Sequence, residues 1–158
     1  MRIVERRVVM FGVSVLLLFL FLLYTHRGQS RVTAEDRPVT VTRLYTGSDG
    51  LTHVEQTTVK FSPVAGAPAS VAESEHIKAT NAYVVRLAPG FFESWHNADE
   101  RRCVVTISGQ AELEMAGGQK VSLTPGTIGL AEDLTGKGHT FRVVGNEDWV
   151  ALFVDFVR

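Results

Sequence analysis

Apolar and polar residues follow two different rhythms along the 158-residue chain. Residues 8–24 do not alternate at all. These 17 positions carry no charge, and only Gly12 and Ser14 interrupt the apolar run. Further on, apolar positions alternate with polar ones in short bursts, the period-two pattern of half-buried strands. The bursts fall at 39–45, 53–61, 81–87, 92–97, 102–107, 110–115, 120–123, 127–131, 139–144 and 149–157. Turn signals separate them: Gly47-Ser48-Asp49-Gly50, Pro89-Gly90, Ser108-Gly109, Gly117-Gly118, Pro125-Gly126 and Thr135-Gly136-Lys137-Gly138. Residues 63–75, rich in Ala, Pro, Gly and Ser, read as a loop. Short strands at this spacing predict an all-β sandwich or barrel, with no helix in the polar part of the chain.

The apolar run has the length of a short transmembrane helix. Arg2, Arg6 and Arg7 precede it, and His26, Arg27 and Arg31 follow. Signal peptidase requires small residues after the apolar core, and Tyr24-Thr25-His26-Arg27 stands there instead. An uncleaved anchor is therefore favoured, with a secreted protein as the alternative. The basic start biases the N-terminus toward the cytosol. The following domain is then expected on the lumenal, periplasmic or extracellular side. The resulting organisation is a basic segment (1–7), an anchor (8–24), a linker (25–40) and one β-domain (41–158).

Composition narrows the partners. Hydrophobic residues make up 45% of the chain, enough for a core. Removing residues 1–31 leaves 11 basic and 16 acidic residues, a net charge near −5. That excludes nucleic acid as an expected partner, since phosphate binding needs clustered positive charge. Cys103 is the sole cysteine and cannot close an internal disulfide. It lies opposite Arg102 in the strand alternation and reads as packing.

The histidines and glycines give the β-domain a more specific likeness. Gly90, five residues, His96, then Ala98, Arg102 and Gly109 follow the spacing G-x5-H-x-H-x3-E-x6-G, the first motif of the cupin superfamily. Ala98 stands at its second histidine and Arg102 at its glutamate. Pro125-Gly126 and His139 resemble parts of the second motif, although residues 131–138 are longer than that pattern. The chain thus resembles small single-domain cupins over about residues 80–155. The resemblance implies a jelly-roll β-barrel with His96, Arg102 and His139 crowding its interior, and an expected homodimer.

Typical cupins hold a divalent metal with three histidines and a glutamate. Two of those four ligands are replaced here. Arginine is always protonated and repels a cation. His96 and His139 could still hold a metal if Glu132, Asp133 or Glu93 supplied a carboxylate, as in oxygenase-type sites. The opposite reading, slightly favoured, has no metal and pairs Arg102 with Glu132 or Asp133. His96 and His139 would then act as acid and base, with Arg102 and Glu132 in the catalytic set. Trp95, Asp133 and Phe141 would contact the ligand. Isomerase, lyase or cyclase chemistry on a small organic molecule fits that set, and a non-catalytic binding or sensory module is the alternative. Trp95 and Phe92 can equally be core residues. His53 and His76 read as surface or loop positions.

Overall fold

The computed structural model describes residues 38–157. The expected anchor at 8–24 lies outside them. Among the described residues no helix is long and apolar enough to cross a membrane.

Twelve strands form: β1 (Thr40–Thr46), β2 (Thr52–Thr58), β3 (Ser62–Pro63), β4 (Ala72–Glu73), β5 (Ala79–Leu87), β6 (Phe92–His96), β7 (Arg102–Ser108), β8 (Gln110–Met115), β9 (Lys120–Leu123), β10 (Ile128–Glu132), β11 (His139–Val144) and β12 (Trp149–Phe156). The predicted strands all exist. The segment expected to be a plain loop at 63–75 carries the two-residue pair β3–β4. Its backbone closes a short hairpin that periodicity is too brief to reveal.

Strands β5 to β12 pair as nested antiparallel partners: β5 with β12, β6 with β11, β7 with β10 and β8 with β9. Rolling up that nested hairpin gives two facing sheets, β5-β12-β7-β10 and β6-β11-β8-β9. This is the strand order of a jelly roll. The first sheet is widened by β1, which joins β10 in parallel, and by β2, which pairs antiparallel with β1.

Alternation decides what each strand contributes to the interior. Ala111, Leu113 and Met115 of β8 are buried, whereas Glu112 and Glu114 face out toward Lys120. On β12 Trp149 and Ala151 are buried, Phe153 packs against the core, and Asp155 is buried at the far end of the same row. Trp149 stacks edge-to-face with Phe141 and Phe153, their centroids 4.9 and 6.1 Å away. Burying each such ring stabilises the fold by about 1.5–3 kcal/mol. The apolar rows fill the β8–β9 side of the interior. Towards His96, Arg102 and His139 the rows turn polar, and a cavity opens.

Candidate functional site

The cavity measures about 170 Å³ and lies between the two sheets. Leu44, Leu87, Val104, Leu113, Phe141 and Trp149 line its apolar part. Glu93, His96, Arg102 and His139 line its polar part. Ligand pockets for drug-sized molecules run to about 300–1,000 Å³. This one suits a smaller guest.

His96 ends β6 and His139 begins β11, and the two face each other directly in the register. Their ring centroids are 4.5 Å apart. Each ring has one nitrogen fixed. His96 Nδ1 lies 2.8 Å from the Ser94 carbonyl oxygen, which can only accept, so Nδ1 carries the proton. His139 Nδ1 lies 2.7 Å from Asp133 Oδ2 and donates to that carboxylate. Both imidazoles are thereby oriented with Nε2 as the open nitrogen.

Asp133 is fully buried and accepts a second bond, from the Thr52 hydroxyl at 3.0 Å. The loop that carries it is tied on both sides. The Asn97 amide donates to the Asp133 and Thr135 carbonyls at 3.1 and 2.7 Å. The Thr46 hydroxyl donates to the Thr135 carbonyl, and the Lys137 amide donates to the Gly50 carbonyl. Gly138 has a φ of 72°, and a Cβ there would come 1.9 Å from the His96 carbonyl oxygen. Only glycine lets this loop lie against β6. The length that departs from the second cupin motif is thus what brings Asp133 under His139.

Arg102 lines the cavity as expected, but its partner is neither Glu132 nor Asp133. Its Nε lies 2.9 Å from Asp155 Oδ1, and both side chains are nearly buried. The contact is an ion pair whose N–H direction misses the oxygen, so neither atom makes a regular hydrogen bond. The antiparallel register places Asp155 directly opposite Arg102. Phe153 of the same strand stacks under the guanidinium at 5.6 Å.

Three expected site residues, Glu132, Trp95 and Asp133, stand outside the cavity wall. Glu132 faces away and accepts from Arg43 and Arg101. Burial pushes its carboxyl upward, but hydrogen bonds from those two arginines outweigh burial and hold it below the usual range. Trp95 neighbours His96 on the strand and so turns to the opposite face, where it is 42% exposed with the Lys137 ammonium 5.3 Å from its ring. Phe92 is exposed too, beside Arg142, and belongs to neither core nor cavity. Asp133 supports His139 from behind and does not line the wall. Phe141 does line it. Cys103 is half-buried, and burial pushes its thiol up, in keeping with a packing role.

Glu93 enters the cavity through an irregularity. On β11, His139 and Phe141 are two residues apart, yet their partners His96 and Glu93 on β6 are three apart. This bulge puts Glu93 on the face of His96, with Oε2 3.6 Å from His96 Nε2. Strict alternation would have given that place to Ser94.

These positions decide the fit for a metal. Asp133 is engaged by His139 and Thr52, and Glu132 by two arginines. Glu93 lies 3.6 Å from His96 Nε2, yet among the described residues no group of three His, Cys, Asp or Glu side chains is disposed to hold a metal ion. The donor set of this chain does not fit a resident metal of the usual cupin kind.

Strand order, nested pairing and the two facing histidines now coincide with the motif spacing. The fold is a cupin fold. Solved cupin structures are similar to it. They include a cupin domain from Bordetella pertussis, at 20% identity over 52% of this chain and 91% of that one, with a TM-score of 0.41. An RmlC-like cupin protein from Desulfovibrio desulfuricans is 15% identical over 82% and 93% of the two chains, with a TM-score of 0.36. The cupin domain of Cnp3 from Schizosaccharomyces pombe is 11% identical over 77% and 84%, with a TM-score of 0.41. No protein-family model and no curated protein matches the sequence.

Proposed function

We propose that this cupin domain binds a small organic molecule in its cavity and moves a proton on it, with His139 and His96 as the acid–base pair. The observation that carries the reading is the buried Asp133–His139 pair facing His96 across 4.5 Å. A carboxylate behind an imidazole fixes its tautomer and steadies the imidazolium that forms when the other nitrogen takes a proton. Imidazole titrates nearest neutrality of all side chains, so one ring can take a proton while its neighbour gives one. In this reading the neutral His139 takes a proton at Nε2, His96 gives one from Nε2 when it enters the cycle as an imidazolium, and the proton taken by His139 passes to His96 to close the cycle. Arg102, with its charge matched by Asp155, shapes the wall rather than binding an oxyanion. Isomerisation, elimination or cyclisation next to an activated C–H bond is the fitting reaction class.

The domain is further proposed to sit at a membrane, held by residues 8–24, on the lumenal, periplasmic or extracellular side. Charge-free length and the poor cleavage site support this. Protease protection of the domain in sealed vesicles, without loss of the first 24 residues, is the expected result.

A specific observation favours a second reading, a binding module without turnover. Ala98 and the balanced Arg102–Asp155 pair occupy two positions at which typical cupins have metal ligands. A thermal-shift ligand screen followed by turnover assays on each hit separates the two. For the enzyme reading, a hit is converted, and His139→Ala and His96→Ala each lower turnover by about 10²–10⁴-fold, the usual worth of a positioned acid or base. Binding without conversion selects the second reading.

A further inference from the structure

The two sheets differ in the faces they turn outward. On β8, β9 and β11 the outward side chains include Glu112, Glu114, Lys120 and Arg142, as a solvated face requires. The other sheet breaks that rule. Arg102 and Val104 of β7 line the cavity, so Cys103 and Val105 point out. The registers carry this outward row across four strands. Val84 of β5, Leu152 of β12, Val105 of β7 and Ile128 of β10 stand side by side. The next row runs through Ala82, Val154, Cys103 and Leu130 before it reaches Arg43 on β1. Val84 is 60% exposed, and Ile107 near the end of β7 is 52% exposed. Val105, Leu152 and Val154 are half-buried, and none belongs to the core or packs against it. Charges stand at the margins, each balanced within the chain. Arg43 pairs with Glu55 and Glu132, Arg101 with Glu132, and Arg86 lies 3.7 Å from Asp148.

Size and charge say what fits this face. Four strands about 4.8 Å apart, with five residues of each at about 3.4 Å, make roughly 300 Å² in plan. Strands β1 and β2 extend it to roughly 500 Å² with a polar flank. Exposed apolar patches of this extent mark interaction sites. A stable interface covers about 800 Å² of accessible surface per partner, apolar at its centre and polar at its rim. Side-chain relief adds accessible area to the plan area and brings this face toward that size. A lipid surface fits it poorly. The two rows hold no tryptophan or lysine to engage headgroups, and the rim arginines are already neutralised. A flat aliphatic face with a self-balanced rim is complementary to its own copy turned about a twofold axis.

We infer that two copies of this chain pack through the outer faces of their β5-β12-β7-β10 sheets, sheet against sheet, with the row from Val84 to Ile128 at the centre of the contact. The resemblance implies only that a dimer exists, whereas the registers name its surface. The inference is independent of the reaction assigned to the cavity.

Sedimentation equilibrium of the full chain in a density-matched non-ionic detergent, with micelles in large excess over chains, tests it. Twice the chain mass is expected, falling to the single-chain mass in the double variant Val84→Lys, Ile107→Lys. Both positions are exposed, so the monomer tolerates the lysines. Thr140→Lys, on the outer face of the other sheet opposite Glu114, is expected to keep twice the chain mass. Cys103 gives a reading without substitution, because the sole cysteine of the chain lies within the face. Its reaction with a bulky maleimide is expected to speed up several-fold when the native chain is diluted until the mass halves. A native chain of single mass at every concentration overturns the inference. Slow reaction of Cys103 in that monomer then means that the chain's own N-terminal residues cover the face, and fast reaction means that it is bare. A double mass that survives the paired lysines also overturns the inference and places the contact elsewhere. If Cys103 reacts at one rate across the dilution, the inference falls even where the double variant fails to fold.

Discussion

Glu132 and Asp133 are neighbours in sequence and belong to different chemistries. Glu132 lies on the outer face, where Arg43 and Arg101 each bond one of its oxygens and Arg43 is shared with Glu55. Asp133 lies inside, fully buried, with His139 and Thr52 as its partners. Outside, Glu132 is itself part-buried, but its arginine partners are more exposed and solvent screens their charges, so losing one contact costs less than inside. Inside, every bond of the carboxylate answers a group that has nowhere else to turn. The outer cluster is electrostatic trim, whereas the inner pair sets the orientation of a candidate catalytic ring.

The contrast can be broken by substitution. Asp133→Ala strands the His139 Nδ1–H and the Thr52 hydroxyl in the interior. It is expected to cost about 3–5 kcal/mol in urea unfolding and to release the His139 tautomer in ¹⁵N spectra. A loss as small as that of a surface ion pair would erase the distinction between the two faces. Thr52→Val removes only one of the two donors. A cost of about 1–2 kcal/mol is expected, with the His139–Asp133 bond and its tautomer intact. A changed tautomer would mean that Thr52 holds Asp133 in place and does more than satisfy it. Glu132→Gln should cost least, about 0–1 kcal/mol, and still less in high salt.

The Glu132 effect also has a direction in pH. The arginines lower its folded-state pKa below the ordinary value near 4.3. Its contribution is therefore fully present above that value and is lost as pH falls through the folded-state pKa. The stability difference between the native chain and Glu132→Gln should shrink on acidification below about pH 4. A difference that grows instead would contradict the arginine contacts.

How much of this could be read beforehand depended on the range of the contact. Alternation along β8, β11 and β12 foretells the buried rows, because each rests on nearest neighbours in one strand. The spacing from Gly90 to Gly109 foretells that His96 and Arg102 meet in the interior. The Arg102–Asp155 pair joins residues on β7 and β12, and only the register between those strands reveals it. Glu93 is named by the sequence only as one of three candidate metal carboxylates, and its facing is illegible for a different reason. A bulge breaks the period on which its facing is judged, and no turn residue marks the place. Glu132 and Asp133 were both plausible partners for Arg102 because composition cannot tell which side of a strand end faces inward.

The bond from Thr52 to Asp133 spans 81 positions, and that from Thr46 to Thr135 spans 89. During synthesis β1 and β2 emerge long before β10, the strand that β1 must join. They wait as an unpaired edge while the rest of the chain is made. Closing so wide a loop costs entropy before any contact repays it, and long-range pairings of this kind slow folding. In refolding, the nested hairpin built outward from β8–β9 should therefore gain protection from hydrogen exchange first, and the His139–Asp133 pair should be among the last features to form.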